Sequence, residues 1–418
     1  MSGLGPRFRR LYASSATSNL ADGIGRTALP LLAASYTRDP VLVAGLTTFT
    51  FLPWLLFALV SGALVDRVDR RYAMSAANAV RALAMGGLAV LTALGAGSVA
   101  ALYAAAFLLG SAETVYDSAT RALLPQVVAR RDLDRANGLL TVEETLGQEF
   151  LGAPAGSALF ALAVALPLAL NAAGFAVAAL LILTVGGAYR PARPEHPTSV
   201  AADVADGVRW LARHRLLRGL SVISAVTALT QSMTTGVLVL YVLEVLGLPA
   251  GGFGLVVLAG GVGALLGGIL TPALTRRLGR GPMLTGGAVL SAVTTGLLGL
   301  VHDAVLASVL AALSAAGVMV WNVLTMSLRQ TLIPERMFGR VQGAYRTLVW
   351  GGIALGSLLG GVVAQAVGVA GVFLVSGAGL LVLAVLLGLL LHRHSAALTD
   401  AVLGEVAPEQ PDPAGTPG

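Results

Sequence analysis

The chain has 418 residues, of which 56% are hydrophobic and 11% charged, and its mean hydropathy is +0.82. Soluble domains carry about 25% charged residues, so this composition excludes a soluble enzyme, a disordered chain and a coiled coil. It leaves an all-α integral membrane protein. There is no cysteine, which excludes disulfides, thiolate metal sites and cysteine nucleophiles. The net charge of +6 raises the question of nucleic acid. The charges fall in short loops between apolar runs, so the expected partner is the lipid bilayer and its anionic face, with no nucleic acid.

About 20 apolar residues cross a bilayer as a helix. In chain order, the first half predicts spans at 11–36, 41–64, 73–95, 99–124, 139–163 and 167–188. The start carries Arg7, Arg9 and Arg10, but no small-residue cleavage site follows, so this segment is expected to be retained. A polar stretch at 189–218 holds Pro191, Pro194 and Pro197, then an amphipathic run around Val208, Trp210 and Leu211. It predicts a cytoplasmic linker with an interfacial helix. The second half predicts spans at 219–246, 252–274, 282–301, 304–332, 346–367 and 369–391. Residues 393–418, rich in Pro and acids from about Ser395, predict a disordered cytoplasmic tail. The organisation is therefore two six-helix units, 1–188 and 219–392, joined by 189–218.

Basic residues concentrate in cytoplasmic loops. With the N-terminus inside, the inner loops carry Arg67, Arg70 and Arg71; Arg130, Arg131 and Arg135; Arg276, Arg277 and Arg280; and Arg336 and Arg340. The outer loops carry Arg38. Twelve spans with both termini cytoplasmic preserve this alternation, and eleven or thirteen break it. The halves also echo each other. Span four ends in Arg121 and Pro125, and span ten ends in Arg329 and Pro334. Such repeats place substrate near the midplane, between the halves.

The loop after span two reads Gly62-Ala-Leu-Val-Asp66-Arg67-Val-Asp69-Arg70-Arg71. It resembles the Gly-x-x-x-Asp-Arg-x-Gly-Arg-Arg loop of the major facilitator superfamily, with Asp69 in place of Gly. The resemblance covers about 11–392. Further stretches resemble the bacterial drug and siderophore exporter branch, enterobactin-exporter-like and macrolide-efflux-like. They are Ser18 to Gly23 with Ala28 to Pro30, Leu133 to Leu139, and Leu332 to Pro334 with Gly339 to Val341. The resemblance implies the major facilitator fold of twelve spans in two pseudo-symmetric halves, a bacterial cytoplasmic membrane and a monomer. It also implies a cytoplasmic latch of Gly62, Asp66, Arg67, Arg70 and Arg71, extended by Asp117 and Arg121. The alternative for Arg67 and Arg71 is that they only set topology. An Arg usual before the span-four Gly is Ala106 here, so any proton coupling uses other groups.

An ionisable side chain inside the bilayer is costly and marks a functional candidate. Asp22 and Arg26 lie one turn apart in span one. They read as an intrahelical ion pair, or as a proton site with a tuning cation. Glu113, Asp117 and Arg121 share one face of span four, with Glu113 deepest. Glu113 reads as a proton or substrate group, or as the structural partner of an arginine. Glu143 and Glu144 read as shallow gate acids. Glu149 lies deeper in span five and is a third coupling candidate. Arg81 is a candidate fixed partner, and Arg346 reads as opening span eleven at the interface. In the superfamily, spans one, four, seven and ten line the cavity. Gln231, Thr234, Trp321 and Asn322 are therefore wall candidates, or ordinary packing groups.

These features predict secondary active transport of a small-molecule substrate, with the proton gradient as energy source and no cofactor. The expected mode is export of drugs, siderophores or other amphiphiles by alternating access. The alternative is an importer or facilitator of a small nutrient or a metal ion. No metal ligand set is assigned, since no His or Cys accompanies the acids. The chain has no Lys, hence no phosphate-binding Gly-x-x-x-x-Gly-Lys loop, and neither His-Glu-x-x-His nor Gly-x-Ser-x-Gly, so it is not expected to be an enzyme. A non-transporting sensor on the same fold is a third class, disfavoured by the intramembrane acids.

Overall fold

A computed structural model describes residues 4–65, 67–187, 189 and 200–393. These residues are almost wholly helical. Asp66, most of the linker before Val200 and the tail from His394 lie outside the described residues.

The first half comprises α1 (Gly5–Tyr36), α2 (Pro40–Val65), α3 (Arg70–Ala93), α4 (Val99–Val127), α5 (Leu133–Thr145), α6 (Ala153–Leu162) and α7 (Leu166–Leu183). A π-helical turn, Leu146–Gly152, fuses α5 and α6 into one span. An amphipathic helix α8 (Val200–Arg213) follows, and Leu211 on it is buried. The second half comprises α9 (Arg215–Leu240), with a π turn at Tyr241–Val245, then α10 (Ala250–Leu278), α11 (Arg280–Leu298), α12 (Ala304–Leu332), α13 (Glu335–Val367) and α14 (Val369–Arg393).

Ten of these helices are long and apolar enough to cross a membrane. The other two spans are α1, interrupted by Arg7, Arg9, Arg10, Asp22 and Arg26, and the segmented α5–α6 span. A lone charge is tolerated in a membrane helix when it faces protein or a water-filled cleft. The helix starts differ from expectation in two places that matter. Span five begins at Leu133 rather than 139, and span eleven at Glu335 rather than 346. Arg346 is thus eleven residues into α13, not at its start.

Small residues set the closest approaches. A Cβ on Gly23 would lie 2.6 Å from the Gln148 carbonyl oxygen, and one on Gly152 would lie 2.6 Å from the Gly23 Cα. The seam between α1 and span five therefore tolerates no side chain at either position. Along α13, Gly352, Gly356 and Gly360 meet the α9 backbone in the same way.

The halves meet through α2 against α13 and α6 against α10. These two contacts exchange under the internal repeat, since spans two and eight correspond, as do five and eleven. The core shows which end is closed. At the end remote from the linker, one apolar cluster runs through both halves, from Leu31 and Val43 to Val237, Phe253 and Phe373. At the linker end it divides. One cluster holds only first-half residues such as Phe8, Met74 and Leu123, and the other only residues from α8 onward, such as Leu217, Leu284 and Leu328. The halves are closed at the far end and parted at the linker end.

Most polar bonds between the halves lie at the far end, with Arg346 to Asp117, at 3.7 Å, nearer the linker end. At the far end the Gln365 Nε2 donates to Asp39 Oδ1 at 2.9 Å, and Arg38 lies 3.6 Å from Glu244. Ser357 donates to the Ala44 carbonyl at 2.7 Å, and Thr48 to that of Ala354 at 3.0 Å. The Ser157 hydroxyl donates to the Ala250 carbonyl and accepts from the Gly254 N–H. Deeper in, Trp54 and Trp350 pack with ring centroids 4.2 Å apart.

Candidate functional site

A polar stripe runs along one face of α1 in the first half. Ser15, Asn19, Asp22 and Arg26 are spaced four, three and four residues apart, which keeps them on one face of a helix. Two groups of partners meet this stripe.

The first group surrounds Arg81 on α3, which is only 1% exposed. Its Nη1 lies 3.2 Å from Asp22 Oδ2 and 3.5 Å from the Ser18 hydroxyl. Its guanidinium sits between the rings of Tyr116 and Phe175, 5.2 and 5.1 Å from their centroids. Ser18 in turn donates to Asn78. Glu113 is partly buried on α4 and lies within the electrostatic reach of both Arg81 and Asp22. The permanently charged guanidinium is bonded to Asp22, and Glu113 is a second carboxyl near it without a direct ion pair.

The second group comes from span five. Glu149 Oε1 takes a charge-assisted bond from Arg26 Nη1 at 2.5 Å. Glu143 Oε1 accepts from the Ser15 hydroxyl at 2.5 Å and from Asn19 Nδ2 at 3.0 Å, and Gln148 donates to Asn19 at 3.0 Å.

The intrahelical Asp22–Arg26 pair does not form. The two side chains, one turn apart, are each drawn to a partner on another helix, Asp22 to Arg81 and Arg26 to Glu149. Glu143 is not a shallow gate acid either. The earlier start of span five carries it into the seam against α1, where it is 5% exposed. Its neighbour Glu144 faces open space. The α1 stripe was the signal that locates Glu143, since Ser15 and Asn19 continue the Asp22 face toward the linker end.

At the linker end, Asp117 is bonded by Arg121 on its own helix at 3.0 Å. It is also approached at 3.7 Å by Arg346 of the other half. Arg346 lies over the Trp350 ring, 4.3 Å from its centroid. It is thus a group that crosses the cleft between halves. Gly62, in the last turns of α2, has open space around it; Arg67, in the loop, is exposed; and Arg70, the first residue of α3, is buried. Asp69, where the family motif has Gly, caps α3 by accepting from the Arg71 N–H at 3.0 Å and also accepts from the Tyr189 N–H at 3.1 Å. Burial alone would raise the Asp69 carboxyl. The Arg71 side chain and the two backbone donors outweigh it and hold it below its ordinary value. Arg71 also donates to the Val185 carbonyl, tying this loop to the end of α7.

The second-half candidates lie apart from the acids. Gln231 Nε2 donates to Ser291 on α11 at 2.8 Å, and the Thr234 hydroxyl bonds back to the Gln231 carbonyl. Trp321 is buried and lines a small apolar cavity with Ser291, Thr227 and Leu380, inside the second-half bundle rather than on the cleft. Asn322 is exposed. Between Arg215 and Leu332 the only acids are Glu244 and Asp303, both at the far end. The acidic groups within the spans are therefore carried by the first half, while the second half contributes the cations Arg329 and Arg346.

Two pseudo-symmetric six-helix halves around a cleft make this the major facilitator fold of membrane transporters. Solved structures share it: a bacterial homologue of the iron transporter ferroportin in its inward-facing state has a TM-score of 0.73 at 20% identity, covering 93% of this chain and 98% of that one. A mutant form of the nucleoside transporter NupG has a TM-score of 0.77 at 12% identity, covering 92% and 99%. The family described as transmembrane secretion effectors matches residues 5–408, and the chain belongs to it, within the major facilitator superfamily. Among characterised relatives, the multidrug efflux pump Tap of Mycobacterium tuberculosis (strain ATCC 25618 / H37Rv) is 29% identical over 387 residues, 88% of this chain and 90% of Tap. The enterobactin exporter EntS of Shigella boydii serotype 4 (strain Sb227) is 27% identical over 390 residues, 92% of each chain.

Proposed function

We propose that this transporter exports amphiphilic small molecules, drugs or siderophores, in exchange for protons by alternating access. The observation that carries the reading is the Arg81 cluster. Arginine stays charged at any working pH, and a buried cluster is least costly when its charges cancel. One guanidinium with two carboxyls, Asp22 and Glu113, balances when one of the two holds a proton. Losing or gaining that proton changes the charge facing the cleft by one unit. That is the requirement for coupling cargo to protons.

The division of labour between halves supports the cargo class. The first half offers the acids, and the second offers apolar and neutral polar walls with Arg346 at the crossing to Asp117. A molecule with one polar or charged end and a large apolar body matches both. The relatives named for multidrug efflux and enterobactin export support the outward direction. The closure at the far end, with parting at the linker end, corresponds to a state that loads from the linker side. The described chain begins, at Leu4, and ends, at Arg393, on that side, which this reading assigns to the cytoplasm.

The test is accumulation of labelled cargo in everted vesicles. Cationic dyes, a macrolide and a catecholate siderophore form the panel. Exporters fill such vesicles when a proton gradient, acid inside, is imposed, and a protonophore abolishes the filling. Filling that is insensitive to the protonophore, or cargo that moves only down its own gradient, contradicts the reading.

A further inference from the structure

We propose that Glu143 is a second proton-carrying group, seated neutral in the seam between α1 and span five and released to the cleft when it ionises. The inference rests on the proposed proton coupling for its role in transport, but not for the protonation itself.

The geometry carries it. Glu143 is the one acid in the described membrane-spanning helices that is fully enclosed, at 5% exposure. Its Oε1 has two neutral donors, Ser15 and Asn19, and its Oε2 is buried with no partner. No cation is bonded to it. Four arginines of the first half are engaged elsewhere or exposed: Arg81 holds Asp22, Arg26 holds Glu149, Arg121 holds Asp117, and Arg130 is exposed just before α5. The charged group acting on Glu143 is Glu144, a like charge on its own helix. From α4 the facing group is Tyr116, whose buried hydroxyl lies beside Ser15 and carries no charge to offset a carboxylate. An ionised carboxylate in this setting would be a buried charge with half its lone pairs unmet and an acid beside it. Such a group either takes a proton or leaves.

Leaving is possible because of where it sits. Glu143 ends the last regular turns of α5, directly before the π turn at Leu146–Gly152. π turns interrupt the regular ladder and commonly mark functional positions in helices. Glu144, one residue on, is exposed. A modest rotation of α5 about the π turn exchanges the neutral Glu143 of the seam for a carboxylate in the cleft. The Ser15 and Asn19 donors are thereby freed, and Asn19 is the group that also holds Gln148. The state of one proton is in this way tied to the contact between α1 and span five.

The test reads the proton directly. Purified protein is examined near neutral pH by infrared difference spectroscopy in the carbonyl region, where a protonated carboxyl absorbs and a carboxylate does not. Wild type, Glu143→Gln, Glu113→Gln and Asp22→Asn are compared. The expected result is a protonated-carboxyl band component that is lost in Glu143→Gln and retained in both others. Ser15→Ala, which keeps the acid but removes one donor to its carbonyl oxygen, shifts the same component to higher frequency. A spectrum that Glu143→Gln and Ser15→Ala both leave unchanged overturns the proposal. If instead the band behaves as expected while wild-type vesicles show no proton movement with any cargo, the protonated seam stands and the coupled-export reading fails.

Discussion

Replacing Asp22 with Asn leaves the Arg81 guanidinium almost fully enclosed with no bonded acid. Stranding one member of a buried ion pair costs about 3–5 kcal/mol. Two features of the site reduce that figure. The Asp22 side chain is 25% exposed at the cleft, so part of its charge is screened by water. Glu113 lies within reach of Arg81 and can take over part of the pairing. The expected loss for Asp22→Asn is about 2 kcal/mol. Arg81→Met strands a different kind of group, because a carboxyl deprived of its cation can bind a proton whereas an arginine cannot shed one. Its cost arises from the lost contacts with Ser18, Tyr116 and Phe175. The double variant contains neither charge, so its destabilisation falls short of the sum of the singles by about 1–2 kcal/mol. Unfolding in detergent near neutral pH, followed by fluorescence of the four tryptophans, measures all four corners of this cycle. Additive losses, or an Asp22→Asn variant as stable as wild type, would refute the ion-pair argument.

The far-end closure can be locked: because the chain has no cysteine, Ala44→Cys with Ser357→Cys introduces a single pair where the Ser357 hydroxyl reaches the Ala44 carbonyl. Oxidation should arrest transport and reduction restore it; undiminished transport by the crosslinked protein contradicts the closure. Conversely, Gly361→Val puts a side chain where a Cβ already lies 2.7 Å from the Val41 Cα. It should destabilise the closed far end by about 1–3 kcal/mol, read as faster labelling of an Ala44→Cys reporter from that side. Asp69→Asn tests the loop. The Asp69 carboxyl is held below its ordinary value of 3.8, so its ionised form stabilises the fold at neutral pH, and that contribution disappears as pH falls through the folded value. The melting difference between wild type and Asp69→Asn should be constant from neutral down to about pH 4 and shrink only below it. A difference that grows on acidification would show the sign to be wrong.

The spans were legible in the sequence because about 20 apolar residues between charged loops are required by the bilayer, whatever the fold. The ends were less so. Span five was expected at 139 and begins at Leu133, and span eleven at 346 and begins at Glu335, because both helices run on past the apolar region into polar turns. That error misplaced two functional candidates together. The expected span ends make Glu143 shallow and Arg346 interfacial, whereas Glu143 is enclosed and Arg346 reaches across to Asp117. The pairing of charges was beyond the sequence for another reason. Asp22 and Arg26 are neighbours on one helix, but their partners depend on how α1 packs against α3 and span five. Only the stripe of Ser15, Asn19, Asp22 and Arg26 on a single face hinted that the first half holds a network rather than isolated pairs. The second-half candidates show the opposite case. Gln231 and Trp321 lie on the correct spans, but their contacts turn into the bundle, toward Ser291 and its neighbours, rather than into the cleft.

Proton movement on addition of cargo tests proton-coupled export most directly. Everted vesicles holding an acid interior and a pH-sensitive dye are given each compound of the panel, with wild type, Asp22→Asn and Glu113→Gln side by side. Coupled export predicts that at least one compound releases stored protons from wild-type vesicles and that release is lost in one or both variants. Cargo that equilibrates with no proton release in wild type, or release that both variants retain in full, would contradict it and leave these acids as structural partners of Arg81.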